Sequence, residues 1–568
     1  MSSDPTPASF DLTSEPWLPV QWRDGTEGAL SLREVFAQAD RLRRLVGDVP
    51  TQEFALLRLL LAILHDVIDG PRDSDQWYEL WESGLPVGDI HAYLDRHRGR
   101  FDLLHPEEPF YQVAGLRTAT GEVSSLDRMV ADVPNGALFF TMRARGAERL
   151  GFAEAARWLV HAHAFDTSGI KTGAVGDPRV KNGKVYPLGV AWAGNLGGVL
   201  VEGNTLRETL LLNLIAFDLL DRNLDPERDL PAWRRPPLGP RQLDETELAS
   251  RPAGVRDLYT WQSRRIRLVF DAEGVHGVVL AYGDPLEAHN KHLLEPMTGW
   301  RRSANLEKKL GRSPVYLPQP HDPSKSAWRG LASLITGYGN ASGQGREAAP
   351  ALRPLIIEWI ARLCVLGYLP PGFLIRARLF GAIYGTQQSV IDEMIDDAVA
   401  MPVVLLHERD QALGEAAIDA VTKAEEAVTA LGDLAAYLAR AAGAEEGPPK
   451  AEARTRGFAA LDGPFRDWLA HLRPGDDPQD KRAEWQRRAH RIISRLGDEL
   501  LRSAGDAAWD GRTITTEQGR TIWLTAAHAD LLFRKALNKA LPAAAAYEPK
   551  PEPPGGESDR HHLEAAWS

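Results

Sequence analysis

The chain has 568 residues, of which 43% are hydrophobic and 25% charged, with a formal net charge of −12. That length provides two or more domains whose cores need no covalent staple, and the single cysteine, Cys364, excludes an intrachain disulfide and a cysteine-rich zinc centre. The acidity argues against a chain that wraps nucleic acid unaided, but leaves room for local basic loops in an assembly whose partners supply the positive field.

The opening, "MSSDPTPASFDLTSEP", has neither a basic flank nor an apolar core, and reads as no signal peptide. Together with the cysteine usage this points to a cytoplasmic location. "WLPVQW" reads as a strand, "RDGTEG" as a turn, and "LSLREVFAQADRL" as a helix capped by Ser31. Residues 51–69 form a nearly continuous apolar run, hence a buried helix. It and "PLIIEWIARLCVLGYLPPGFLI" are broken by charge or proline short of the roughly 18 residues a membrane span needs.

From about 100 to 340 the text is mixed, with short strands such as "IRLVFD" and "GVVLAYGD" between Gly/Pro loops. One loop stands out. Residues 165–189, "FDTSGIKTGAVGDPRVKNGKVYPLG", follow the apolar run "FAEAARWLVHAHA" and carry five glycines, four basic residues and two acids. Glycine lets a backbone approach a ligand closely, and Lys171 sits between Gly169 and Gly173 in "SGIKTG". The plain reading is a surface loop; the functional one is a backbone that slides against a sugar–phosphate edge.

Two further basic stretches follow. "WQSRRIRL" places Arg265 and Arg267 on one face of a strand and Arg264 on the other. "NKHLLEPMTGWRRSANLEKKLGR" adds Lys291, Arg301, Arg302, Lys308, Lys309 and Arg312, and the set is a candidate phosphate-facing patch as well as an ordinary solvated surface.

After the strand-like "FLIRARLFGAIY", the segment "YGTQQSV" reads as a helix start capped by Thr386, opening a helical bundle over 387–546. Val421, Val428 and Ala435, with Ala424, Leu431 and Leu438, recur every seven residues and form a seam. "AEEGPPKAEAR" breaks it. A second seam runs through Trp485, Ala489, Ile492, Leu496 and Leu500, and "TAAHADLLFRKALNKAL" is a last helix. Residues 547–568 are Pro/Gly/acid-rich and read as a disordered tail. The fold class is therefore α+β: a mixed domain over 1–386, then a four-helix bundle.

Two histidine patterns invite metal readings. His65-Asp66, with Asp69 nearby, is the dipeptide of metal phosphohydrolases, but no second helix shows a matching cluster. His161 and His163 stand two apart on a helix and do not share a face. No phosphate-binding P-loop, zincin or nucleophile-elbow motif is present. The expectation is a protein without catalytic residues, metal or cofactor.

The stretches "FDLTSEPWLPV", "SLREVFAQADRLRRLVGDVPTQEFALLRLLLAIL", "HPEEPFYQV", "GNTLRETLLLNL" and "TWQSRRIRL" resemble, in order and spacing, the large subunit of the type I-E CRISPR surveillance complex, Cascade (the CasA family). The resemblance implies a non-catalytic subunit. It implies recognition of a protospacer-adjacent motif in double-stranded DNA from the minor groove, help in opening the duplex for guide-RNA pairing, and docking of a helicase–nuclease. Its implied partners are the other Cascade subunits, crRNA and target DNA, with no membrane.

By position the resemblance gives Ser168, Gly169, Ile170, Lys171 and Gly173 the role of a glycine loop, and Lys291 that of a lysine finger. Thr386, Gln387 and Gln388 fall at a glutamine wedge. "NGALFFTMRARG" matches a loop that meets the crRNA 5′ end and a neighbouring subunit, with Phe140 as anchor and Arg143 and Arg145 near phosphate. Some relatives carry a CxxC pair just after that loop; "ERLGFAE" here implies that any such zinc is lost. The rival readings are an HD-type metal phosphohydrolase and a scaffold that never touches DNA.

Overall fold

The computed structural model describes residues 9–131, 147–220, 226–335, 350–406, 410–515, 519 and 521–545. The chain divides into two compact units: residues to Gly414 with Leu469–Gly475, and Glu415–Trp468 with the residues from Asp476.

The first unit is mixed α+β. β1 (Leu18–Trp22) is the middle strand of a small antiparallel sheet with β2 (Glu27–Leu30) and β3 (Leu42–Leu45). The helix Leu32–Ala37 starts where the sequence placed it. Ser31 Oγ accepts from the Glu34 N–H, and the Glu34 side chain accepts from the Ser31 N–H, a reciprocal capping box.

The helix Pro50–Ile68 runs through the core. Every residue from Thr51 to Asp66 is buried, so its polar side chains must find partners inside. Arg58 donates to both oxygens of Glu295 at 2.9 and 2.8 Å, and Arg378 pairs with Glu53. A second buried helix, Phe152–Phe165, leads into the two-residue strands β4 (Lys171–Thr172) and β5 (Lys184–Val185), which pair with each other.

β6 (Gly198–Val201) joins a larger sheet described below. β7 (Arg264–Asp271) and β8 (Gly274–Tyr282) are an antiparallel hairpin. β9 (Trp300–Arg302) lies between β10 (Tyr316–Pro318) and β11 (Ala351–Leu352). β12 (Leu374–Tyr384) is the centre of the sheet β13–β12–β6, where β13 spans Ile391–Pro402.

The β12–β13 hairpin corrects the sequence reading. The expected bundle start at 387 lies at a strand connection, and "IDEMIDDAVAMP" is a strand that pairs with the whole of β12. Its Glu, Met and Ala residues favour a helix locally; the exposed ladder of β12 overrides that preference. Thr386 caps no helix and stands in a single 3₁₀ turn without a side-chain cap bond.

The second unit is helical. The helices are Gln411–Ala442 (which begins just inside the first unit), Gly447–Ala470, Pro478–Arg502 and Ala526–Ala540, with a hairpin of β14 (Arg512–Thr515) and β15 (Thr521–Leu524) before the last. All six residues of the first expected seam are buried. The second seam drifts: Trp485, Ala489 and Leu496 are buried as expected, but Ile493 and Leu501 fill the places assigned to Ile492 and Leu500. A helix period of 3.6 rather than 3.5 produces that slip. Phe465, Trp468 and Trp485 form a ring cluster with centroids 5.0–5.7 Å apart. The break expected at "AEEGPPKAEAR" falls between the helix that ends at Ala442 and the one that begins at Gly447; its "GPPKAEAR" part opens the second helix, since proline is tolerated in a first turn. The tail at 547–568 lies outside the described residues.

Candidate functional site

Burial decides first which expected residues can meet a ligand. The buried helix Phe152–Phe165 ends at Asp166, whose carboxylate is 9% exposed as a residue and meets two cations. Lys171 Nζ lies 2.6 Å from its Oδ2, and Arg264 Nε donates to the same oxygen. Burial alone would push this carboxyl up, but the charges of Lys171 and Arg264 outweigh it and hold the group below the usual carboxylate range.

Arg264 does more than neutralise Asp166. Its Nη2 donates to the carbonyls of Thr167 at 3.0 Å and Gly189 at 3.1 Å, so one guanidinium ties both ends of the loop 165–189. The Gly189 N–H donates to Ser168 Oγ at 3.1 Å, and Tyr282 Oη donates to the Gly169 carbonyl at 2.8 Å. The glycine-rich loop is therefore a tethered structure.

This corrects three expectations. Lys171 is buried and committed to Asp166, so it is no contact residue. Arg264 and Arg265 are 3% and 0% exposed; Arg265 pairs with Asp284 at 2.8 Å, and neither belongs to a phosphate-facing patch. The strand's two faces are both covered, which alternation by itself does not reveal. Gly173 is also internal: a Cβ there would stand 2.5 Å from Val180 Cγ1. Gly169 has room, with Ser389 Cβ as the nearest atom at 3.8 Å, and Ile170 is 50% exposed.

The nearness of Gly169 to Ser389 reflects a contact across more than two hundred residues. The Ser168 N–H donates to the Gln388 carbonyl at 2.7 Å. Thr386, Gln387 and Gln388 are all exposed at the turn joining β12 to β13. Gln387 and Gln388 have φ of 56° and 55°, left-handed conformations that cost a non-glycine residue about 1–2 kcal/mol each. The glycine loop and the glutamine turn thus form one edge.

Lys291 stands in another neighbourhood. Asn290 anchors its backbone, donating N–H to the Tyr316 carbonyl at 2.9 Å and accepting the Tyr316 N–H at 2.8 Å. Lys291 is half-buried, and among the described residues its ammonium makes no ion pair within 4 Å. Burial lowers its pKa, against a weaker opposite pull from Glu287. Tyr316 also pairs with Arg302 on β9, so Lys291 and the later basic run share one small substructure. Arg302 is bound to Glu307 at 2.5 Å, whereas Arg301, Lys308 and Lys309 are exposed. Phe140, Arg143 and Arg145 lie outside the described residues.

The metal readings find no support in the geometry. His65 is 0% exposed, its Nδ1 is 2.7 Å from the Gly70 carbonyl, and burial pushes its pKa down to about 3. Asp66 accepts from Tyr93 Oη at 2.5 Å and pairs with Arg234 and Arg256. His161 and His163 are likewise buried, bound to Thr51 Oγ1 and the Tyr111 carbonyl at 2.8 Å each. Among the described residues no group of three His, Cys, Asp or Glu side chains is arranged to hold a metal ion, and no helix is long and apolar enough to cross a membrane.

The sequence reading gave no role to Asp166 or to Tyr282, which hold the loop in place. An acid directly after an apolar helix was the signal for the first.

Comparisons with known proteins agree with this layout. The family description CRISPR-associated protein Cse1 matches residues 11–496. The chain is 33% identical over 353 residues to the CRISPR-associated protein CasA/Cse1 of Thermus thermophilus. That alignment covers 61% of this chain and 64% of the relative, a little under two thirds of its length. The crystal structure of Thermobifida fusca Cse1 superposes with a TM-score of 0.86 at 62% identity, covering 94% of this chain and 99% of that one. A chain of a solved CRISPR RNA-guided surveillance complex shares the fold, with a TM-score of 0.60 at 20% identity over 87% of this chain and all of that one. With that family description matching residues 11–496, most of its length, the chain belongs to the CRISPR-associated protein Cse1 family.

Proposed function

We propose that this chain is the non-catalytic large subunit of a CRISPR RNA-guided surveillance complex, that it reads a short motif in double-stranded DNA from the minor groove, and that it helps open the duplex beside that motif. The other subunits, crRNA and a helicase–nuclease are its partners. Family membership supports the place in the complex. The observation that carries the DNA reading is the edge where the Ser168 N–H meets the Gln388 carbonyl at 2.7 Å beneath two exposed glutamines.

Two adjacent left-handed glutamines are costly where Asn-Gly would be easy. Strain of this kind persists when the side chains are needed. A side chain pushed under a base pair shares the unstacking cost of a few kcal/mol, which guide pairing then offsets. Gly169 brings backbone, not bulk, to a groove whose pattern is degenerate. Lys291, half-buried on an anchored backbone, provides a point charge held ready for the groove.

The test separates opening from reading. Gln387→Gly with Gln388→Gly relieves the turn strain, so the chain gains about 1 kcal/mol of stability, while R-loop formation on fully paired DNA slows. On DNA already mismatched beside the motif the defect shrinks. Lys291→Ala stays defective on both substrates, losing about 1–3 kcal/mol of motif-duplex affinity. Wild-type opening rates for the glutamine variant on paired linear DNA sink the wedge; unchanged affinity for Lys291→Ala sinks the finger. If the complex binds motif DNA equally with and without this chain, the scaffold reading replaces both.

A further inference from the structure

The loop 165–189 has four cations, and they divide into two pairs. Lys171 is spent on Asp166. Arg179 is spent on Asp177 at 2.9 Å and on the carbonyls of Tyr282 and Gly283, also at 2.9 Å. Lys181 and Lys184 differ: both are exposed, and among the described residues neither makes an ion pair within 4 Å.

Their placement is rigid. Asn182 and Gly183 have φ of 52° and 74°, the signature of a two-residue turn with both central residues left-handed. The Lys181 N–H donates to the Lys184 carbonyl at 2.8 Å, and the Lys184 N–H returns to the Lys181 carbonyl at 3.1 Å. The turn is pinned further by the Gly173 N–H, which donates to the Gly183 carbonyl at 2.9 Å. Two free ammonium groups therefore flank a fixed tip.

Alternation along β5 sets the outward face. Val185 is buried opposite buried Lys171, whereas Lys184 lies opposite Thr172 and points with Tyr186 to the other side. Ile170, two residues before Thr172, and Tyr186, two after Lys184, are exposed as well, 50% and 65%. The surface lies a short stretch of chain from the glutamine edge. From Ser168, bonded to Gln388, to Thr172, opposite Lys184, is four residues, at most about 13 Å of extended chain. Along a duplex that is about four base pairs at 3.4 Å each.

We propose that Lys181 and Lys184 form a phosphate-contact site for the duplex flanking the recognised motif, a site separate from motif reading and from opening. The proposal rests on the DNA-motif reading above. Its chemistry is that of two point charges against the backbone of one strand, with Tyr186 and Ile170 covering sugar edges. Such contacts hold register and carry no sequence information. In a chain of net charge −12, two unpaired lysines beside the contact edge concentrate the attraction where the duplex arrives.

The experiment uses the assembled complex and two short duplexes, one with the motif and one with it scrambled. Affinity is measured across a fourfold range of salt. The double substitution Lys181→Ala, Lys184→Ala makes the slope of log affinity against log salt shallower by about 1–2, on both duplexes alike. The affinity ratio between the duplexes stays at the wild-type value, and Lys181→Arg, Lys184→Arg restores the slope. Both side chains are exposed, so the melting temperature of the chain is unchanged.

A wild-type slope in the alanine variant, with motif preference intact in the wild-type complex, overturns this site and leaves the motif reading standing. A changed preference ratio with an unchanged slope also overturns it, because the lysines would then read bases. A wild-type complex with no motif preference, or one indifferent to this chain, removes the motif reading and this site with it.

Discussion

β7 and the segment 301–312 present the same signal in sequence, clustered Arg and Lys in an acidic chain, and meet opposite fates. Arg264 and Arg265 open β7 with their side chains sealed from water, one on Asp166 and the other on Asp284. Arg301, Lys308 and Lys309 stand exposed. A cation already paired with a desolvated carboxylate has little field left for phosphate, and removing it strands the carboxylate. A solvated cation contributes little to folding but remains available. Charge count therefore marks where to look, while burial and pairing separate structural cations from contact cations.

The comparison breaks most readily at Arg264. Arg264→Ala leaves Asp166 buried with Lys171 alone and unties Thr167 and Gly189, so unfolding stability falls by about 3–5 kcal/mol. Adding Asp166→Asn to that variant recovers part of the loss. Urea unfolding of the full chain measures both, and a loss below about 1 kcal/mol for the single variant would show that β7 resembles the exposed run after all.

The two glycines of the loop sharpen the same division on a smaller scale. Gly173→Ala drives a methyl into Val180 and costs about 1–3 kcal/mol in overpacking. Gly169→Ala meets its nearest neighbour at ordinary contact distance and stays near wild-type stability. Motif affinity of the Gly169→Ala complex then reports on the groove, whereas that of Gly173→Ala reports on the fold. Equal melting temperatures for the two variants would contradict this.

The smallest effect is expected on the exposed side. Arg301→Ala, Lys308→Ala and Lys309→Ala each move unfolding stability by no more than about 0.5 kcal/mol. If these residues are a phosphate patch, the salt dependence of duplex binding by the complex becomes shallower as well. An unchanged salt slope would assign them to an ordinary solvated surface.

Sequence by itself determined the features that depend on near neighbours. The buried helix over 51–69, the Ser31 capping box and the seam from Val421 to Leu438 follow from periodicity and from groups three to seven residues apart. The loop 165–189 was marked by its own composition. Tertiary structure decided the rest. "IDEMIDDAVAMP" became a strand because β12 offered a free ladder. Lys171 turned inward while Ile170 turned outward because a two-residue strand packs one face. Arg264 lost its place in a phosphate patch to Asp166, 98 residues away, and Ser168 met Gln388 across 220. Pairing in a desolvated interior is settled by which groups the fold brings within a few ångströms. Local sequence has no access to that choice, because the partner that satisfies a buried charge lies elsewhere in the chain.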